Sequence, residues 1–319
     1  MKKDKHKCKL LPYNKTDCLS MLDAQQKVGW EITAFDLPSA WKLTRGEGVV
    51  IAVVDTGCDL NHSDLKPNLL EGINLVKPGT PPEDDNGHGT HVTGTLVAAN
   101  NGIGIVGICP GAKAMPVKVL DSKGNGNMLV VADGIRWAAD HGANFISMSL
   151  GSPAKIQQVR KAIQYACQKG VVTFCAAGNA GNTEEVFYPA NYPETIAIGA
   201  IDENFKRAEF SNTGRNLDFM APGVDIFSTF PKNWYSTLSG TSMACPFAVG
   251  VAALLLSYVK AGHLHLKLET VDDYRDQFRK YTIPLTDEHY SNPQFYRGFG
   301  IIDPRLMLEA NQANGQAAS

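Results

Sequence analysis

Val49-Val50-Ile51-Ala52-Val53-Val54-Asp55-Thr56-Gly57 decides the architecture. Six apolar residues in a row are too many for a strand with one wet face and too few for a helix, so the run reads as a strand buried on both sides. Such strands belong to parallel sheets. The carboxylate and glycine turn that end it put Asp55 at the carboxyl end of the strand, where open α/β sheets build their sites. Outward from this stretch, strand patterns lie at 115–120, 144–149, 171–176 and 195–200, and helical patterns at 91–99, 128–141, 156–169 and 247–262. Their alternation implies an α/β fold of three layers, with a mostly parallel central sheet of about seven strands and helices on both faces.

Two polar stretches stand out against this pattern. In Asp85-Asn86-Gly87-His88-Gly89-Thr90-His91, a histidine between glycines opens a helix. In Ser239-Gly240-Thr241-Ser242-Met243-Ala244-Cys245-Pro246, a turn runs into the apolar stretch 247–258, and Pro246 is tolerated because first-turn amides have no intrahelical partner. Ser242 then sits where free N–H groups and the helix dipole favour developing negative charge. A serine in that place is ordinarily a cap. An aspartate, a histidine and a serine, each at an element terminus and in one of the known chain orders of a proton relay, change the reading to nucleophilic catalysis.

Composition narrows the class. The chain has 319 residues, 30 basic against 32 acidic, and 19% charged side chains, which suits a globular enzyme and suggests neither a nucleic-acid nor a membrane partner. Residues 1–9 are basic, but no apolar run follows as an export signal requires, so a cytoplasmic location is expected. No stretch reads as a membrane span. The seven cysteines form no CxxC pair and read as free thiols, four or five of them in the core. Short histidine pairs, His88/His91 and His263/His265, lack the further ligands zinc needs.

Asp55-Thr56-Gly57, His88-Gly89-Thr90-His91 and Gly240-Thr241-Ser242-Met243-Ala244 together resemble the three signature blocks of the subtilisin-like serine proteases. The likeness runs from about residue 29 to 308, with 298–303 resembling the family's closing motif, and the missing export signal narrows it to the intracellular subtilisins. The resemblance implies a subtilisin-like fold and a serine endopeptidase in which Ser242 is the nucleophile, His88 the base and then acid, and Asp55 the group that fixes the imidazole. Asn179, in Phe174-Cys175-Ala176-Ala177-Gly178-Asn179, matches the oxyanion asparagine, and His91 matches a histidine that is not catalytic. Gly124-Asn125-Gly126, Ser149-Leu150-Gly151 and Ala176-Ala177-Gly178 match segments that line the substrate, and Phe187 matches a specificity-pocket position that is often glycine. Tyr188-Pro189 matches a cis-proline site. Ala244-Cys245-Pro246-Phe247 departs from the family pattern, and Cys245 reads as packing rather than as a thiol nucleophile.

The same resemblance implies Ca2+ at Asp64, Ala99, Asn101, Ile103 and Ile105, with either Gln25 or Gln26 as a further ligand. It also implies a homodimer acting on protein and peptide substrates. Leu10-Leu11-Pro12-Tyr13 resembles the inhibitory segment of intracellular subtilisins. The expected organisation is therefore an inhibitory extension at 1–23, a catalytic domain at 24–311 and a disordered tail at 312–319. Pro12 is expected to fit the cleft as part of an extended guest while keeping a scissile carbonyl out of line with Ser242. A catalytically silent peptide-binding protein of the same fold is the alternative from another class. An α/β-hydrolase fails on chain order and on Ala244, where that elbow requires glycine.

Overall fold

The computed structural model describes residues 6–16, 18–20, 25–181, 185–286 and 293–305. The expected tail at 312–319 lies outside the described residues. Among them the main sheet has nine strands, in the order Thr282–Ile283, Ile301–Ile302, Phe219–Pro222, Thr195–Ile201, Val172–Ala176, Phe145–Met148, Val50–Asp55, Lys113–Lys118 and Ile73–Asn74. Only the first two pair antiparallel; every other neighbour is parallel. The expected seven strands are exceeded by two-residue strands at the edges, too short to leave a period in the sequence.

The strand that opened the reading lies inside this order. Val50–Asp55 is flanked by the next long strand, Lys113–Lys118, on one side and by Phe145–Met148 on the other. The chain changes winding direction there, and such a switch point opens a crevice beyond the strand carboxyl ends. Asp55 is the last residue of that strand.

Helices cover both faces, as strands buried at nearly every position require. Gln157–Gln168 buries Val159, Ala162, Ile163 and Ala166, a one-sided stripe that packs against Met128–Asp140 and the sheet. Thr241–Lys260 has no such polar face. It is long and apolar enough to cross a membrane, which corrects the expectation that no stretch is. Its burial among His88–Val97, four strands of the main sheet and Trp234–Ser239 makes it the central core helix. His88–Val97 starts three residues earlier than its apolar period suggests, because Gly87, at φ 112°, turns the chain directly into it. Cys8, Cys58, Cys109, Cys175 and Cys245 are buried, and all seven cysteines are free thiols.

Outside the main sheet stand the hairpin Ile226–Phe230 with Trp234–Ser239 and three short strands of the N-terminal chain, Lys7–Leu10, Asn14–Lys15 and Leu19–Ser20. Lys7–Leu10 pairs antiparallel with Asn125–Asn127 on one side and Leu150–Gly151 on the other. The other two pair with Trp234–Ser239.

Candidate active site

Asp55, His88 and Ser242 converge from three element ends: the close of a strand, the first residue of one helix and the second residue of another. All three are fully buried. His88 Nδ1 lies 2.8 Å from Asp55 Oδ1 and 3.0 Å from Oδ2. A carboxylate only accepts, so Nδ1 carries a proton toward Asp55, and in the neutral imidazole Nε2 is then the basic nitrogen. Asp55 Oδ1 also accepts from the Thr56 N–H at 2.7 Å, and Thr56 Oγ1 accepts from the Gly89 N–H at 2.9 Å. These bonds fasten the aspartate turn to the helix that carries His88. Gly89 permits the approach, since a Cβ there would stand 2.2 Å from the Gly57 carbonyl oxygen.

Asn179 closes the strand turn opposite Ser242. Its Oδ1 accepts from the Thr241 N–H at 2.9 Å and from Thr241 Oγ1 at 2.6 Å. The amide orientation is thereby set, and Nδ2 points into the cleft as a donor. It is spent on the chain's own N-terminal segment, donating to the Pro12 carbonyl at 2.6 Å. Pro12 thus occupies the cleft with its own carbonyl at the Asn179 donor. Ser242 Oγ instead donates to the Ser149 carbonyl at 3.2 Å, while Ser149 Oγ donates to the Ser242 carbonyl at 2.9 Å. His88 Nε2 has no hydrogen-bond partner among the described residues. The Tyr13 ring lies over the imidazole, centroids 5.2 Å apart.

A model described as "Subtilase family" matches residues 46–293, a span that contains the aspartate, the histidine, the asparagine and the serine. This chain belongs to the subtilase family. It is 44% identical over 238 residues to thermitase of Thermoactinomyces vulgaris, covering 74% of this chain and 85% of that one. An intracellular serine protease of Paenibacillus polymyxa is 41% identical over 256 residues, 78% of each chain. Subtilisin DY of Bacillus licheniformis is 42% identical over 216 residues, 67% of this chain and 78% of that protein. The subtilase is accordingly a subtilisin-like serine endopeptidase.

The subtilase's own N-terminal chain lies between the segments expected to line the substrate. Cys8 pairs with Gly126, Lys9 with Asn125 and Gly151, and the Leu10 N–H donates to the Gly124 carbonyl at 2.8 Å. Leu11 is buried, its Cδ2 3.1 Å from where a Cβ on Gly151 would stand. Phe187 bounds the same slot: its Cβ is 3.5 Å from that position, and its ring is 3.1 Å from where a Cβ on Gly178 would be. Ala176 and Ala177 are buried behind it, and the Ala177 carbonyl accepts from the Phe187 N–H at 2.9 Å. Past Tyr13, Asn14 pairs with Ser239, Lys15 with Leu238, Leu19 with Tyr235 and Ser20 with Trp234. Tyr188-Pro189 is cis.

Two residues that tempt toward other chemistry are inert. Burial pushes the Cys245 thiol up to about 12, so no thiolate is at hand. Burial above all, and next the neighbouring His88 imidazole, pushes His91 down to about 3; its Nε2 lies 3.0 and 3.1 Å from the Ile226 and Ser236 carbonyls, and the ring is a neutral tie between helix and hairpin.

A second polar site forms at the loop Ala99–Ile105. Asp64 Oδ1 accepts from Asn101 Nδ2 at 3.1 Å, and its Oδ2 accepts from the Ile105 N–H and from Tyr235 Oη, both at 2.9 Å. Of the two candidate glutamines, Gln26 is the one whose side chain enters, within 2.9 Å of the Ala99 carbonyl and 2.8 Å of the Ile105 carbonyl. Gln25 is exposed and bridges Ile103 through its backbone. A Cβ on Gly104 would stand 2.2 Å from Asp64 Oδ2, so only glycine lets the loop wrap this closely. Both amides here donate through nitrogen, to Asp64 and to the Ala99 and Ile105 carbonyls; turned about their last torsion they would add their oxygens to a carboxylate and two loop carbonyls, a hard-oxygen set of the kind calcium takes. Sequence reading missed Tyr235 and Thr241. Thr241 was adjacent to the serine and could have been suspected, whereas Tyr235 meets Asp64 across 171 residues with no local signal.

Proposed function

We propose that this serine endopeptidase is a calcium-binding intracellular precursor, held latent by its extension at 1–23 ahead of a catalytic domain at 24–311. Ser242 attacks the scissile carbonyl, His88 Nε2 takes the hydroxyl proton and passes it to the leaving amine, and Asp55 holds the imidazolium. The amide of Asn179 and the Ser242 N–H stabilise the oxyanion. Water then repeats the sequence on the acyl-enzyme. Ca2+ would be held by Asp64, Asn101, Gln26 and the carbonyls of Ala99, Ile103 and Ile105, where it ties the loop to the folded state. The name of the Paenibacillus relative, an intracellular serine protease, supports the intracellular location, and a homodimer belongs to the same reading.

The observation that carries the latency is the docked strand whose Pro12 carbonyl takes the Asn179 donor. The hydroxyl of Ser242 faces Ser149 and the Tyr13 ring covers His88, so the bound carbonyl meets a nucleophile that the base has not engaged. Tethering raises the guest's local concentration to about millimolar, so weak intrinsic affinity suffices. Peptide hydrolysis by full-length protein and by a form starting at Leu19, both purified under conditions that block self-cleavage, tests this. The shorter form should be faster by about a hundredfold or more; equal initial rates would end the proposal.

A further inference from the structure

We infer that Phe230 forms a cation-accepting subsite on the leaving-group side of the cleft, which selects lysine or arginine as the third residue after the cleaved bond. The inference rests on the reading of the N-terminal chain as a substrate-like guest. With the Pro12 carbonyl on Asn179, the residues that follow are Tyr13, Asn14 and Lys15. Lys15 pairs with Leu238, and its Nζ stands 3.9 Å from the centroid of the Phe230 ring, within the range in which a cation is drawn to an aromatic face.

The ring is a fixed part of the cleft and not a passing contact. Its strand is tied to the His88 helix by Ser228 Oγ, which donates to the His91 carbonyl, and by Thr229 Oγ1, which donates to the Thr90 carbonyl, both at 2.8 Å. Its edge lies against Gly87, where a Cβ would be 2.2 Å from Cζ. The register is held on both sides of the lysine: Asn14 pairs with Ser239, and the Thr16 N–H donates to the Thr237 carbonyl at 3.0 Å. An extended guest therefore delivers its third side chain to the ring whatever its sequence.

The test is competition in one tube between two internally quenched peptides that differ only in lysine or methionine at that position, with the cleaved bond verified by product masses. The ratio of their kcat/KM values does not depend on what fraction of the full-length enzyme has its cleft open. Lysine should win by about two- to fivefold, the range for an exposed cation over a ring. Phe230→Leu should bring the ratio to near one, and Phe230→Tyr, which keeps the ring, should preserve it. A ratio near one in the parent, or a preference that survives Phe230→Leu, overturns the subsite. Failure of the underlying reading is seen separately: in full-length protein carrying Ser242→Ala, the Thr16 amide should be protected from hydrogen exchange, and Lys15→Met should weaken that protection by the same two- to fivefold. An unprotected Thr16 amide in the parent removes the docked guest itself.

Discussion

Two sites in this molecule are touched by the same N-terminal chain, with opposite consequences. At the catalytic cleft Asp55, His88, Asn179 and Ser242 all come from the domain, and the chain lies there as a guest, with a carbonyl on Asn179 and a ring beside His88. At the Ala99–Ile105 loop the chain is a structural member: Gln26 supplies a side-chain amide, and Gln25 and Lys27 bridge Ile103 and Ile105. One segment thus occupies the first site and takes part in the second. Under the proposed latency, the activating cut releases Leu10 to Lys15 and keeps Gln26, which puts it after Lys15 and before Gln26.

The contrast can be broken most sharply at the nucleophile. Ser242→Ala should lower kcat by roughly five to six decades, the loss known for subtilisin triads, and leave the melting curve in place. Residual turnover near that of the parent would refute the role of Ser242. Asn179→Ala should cost about 2.7–4 kcal/mol of transition-state stabilisation, the range for one oxyanion donor in subtilisin, and should appear in kcat. The same substitution removes the donor that holds Pro12, so the full-length variant should also lose protection in its extension; an effect on KM alone argues against both roles.

Away from the cleft the effects should be on stability. Glu31, buried just beyond Lys27 with its Oε2 unpartnered, has its carboxyl raised from 4.5 to about 7, by burial above all and despite its own backbone N–H. Between those values the unfolded chain ionises while the folded one stays protonated, so stability falls as pH rises through the window and the loss is complete above it. Glu31→Gln should therefore match the parent near pH 4 and exceed it, by on the order of 3 kcal/mol, at pH 8. Melting curves at the two pH values check this, and a pH-independent difference would contradict it. Excess chelator should lower Tm by about 5–10 °C, corresponding to about 2.7 kcal/mol from a cation present at a hundred times its dissociation constant. Gln26→Ala should erase most of that response, and an unchanged midpoint in the parent would count against the loop as a calcium site.

How far the sequence carries depends on whether a feature is local. Val50–Asp55 was legible because burial on both faces leaves an unbroken apolar run, and Gln157–Gln168 because burial on one face leaves a 3.6-residue stripe. The two-residue strands at the sheet edges carry no period and went unread. The long apolar helix Thr241–Lys260 shows the limit from the other side, since its composition alone fits a membrane and only its neighbours make it a core.

By itself, the sequence determined the α/β class, the family and the three blocks that hold Asp55, His88 and Ser242, because each block is a short run of residues whose backbone needs are met on the spot. Tertiary structure decided the rest. It chose Gln26 over Gln25, joined Tyr235 to Asp64, turned Ser242 toward Ser149, seated the Pro12 carbonyl on Asn179 and laid Lys15 over Phe230. Those contacts join residues tens to hundreds of positions apart. Their geometry follows from sheet register and helix packing, which no local pattern encodes.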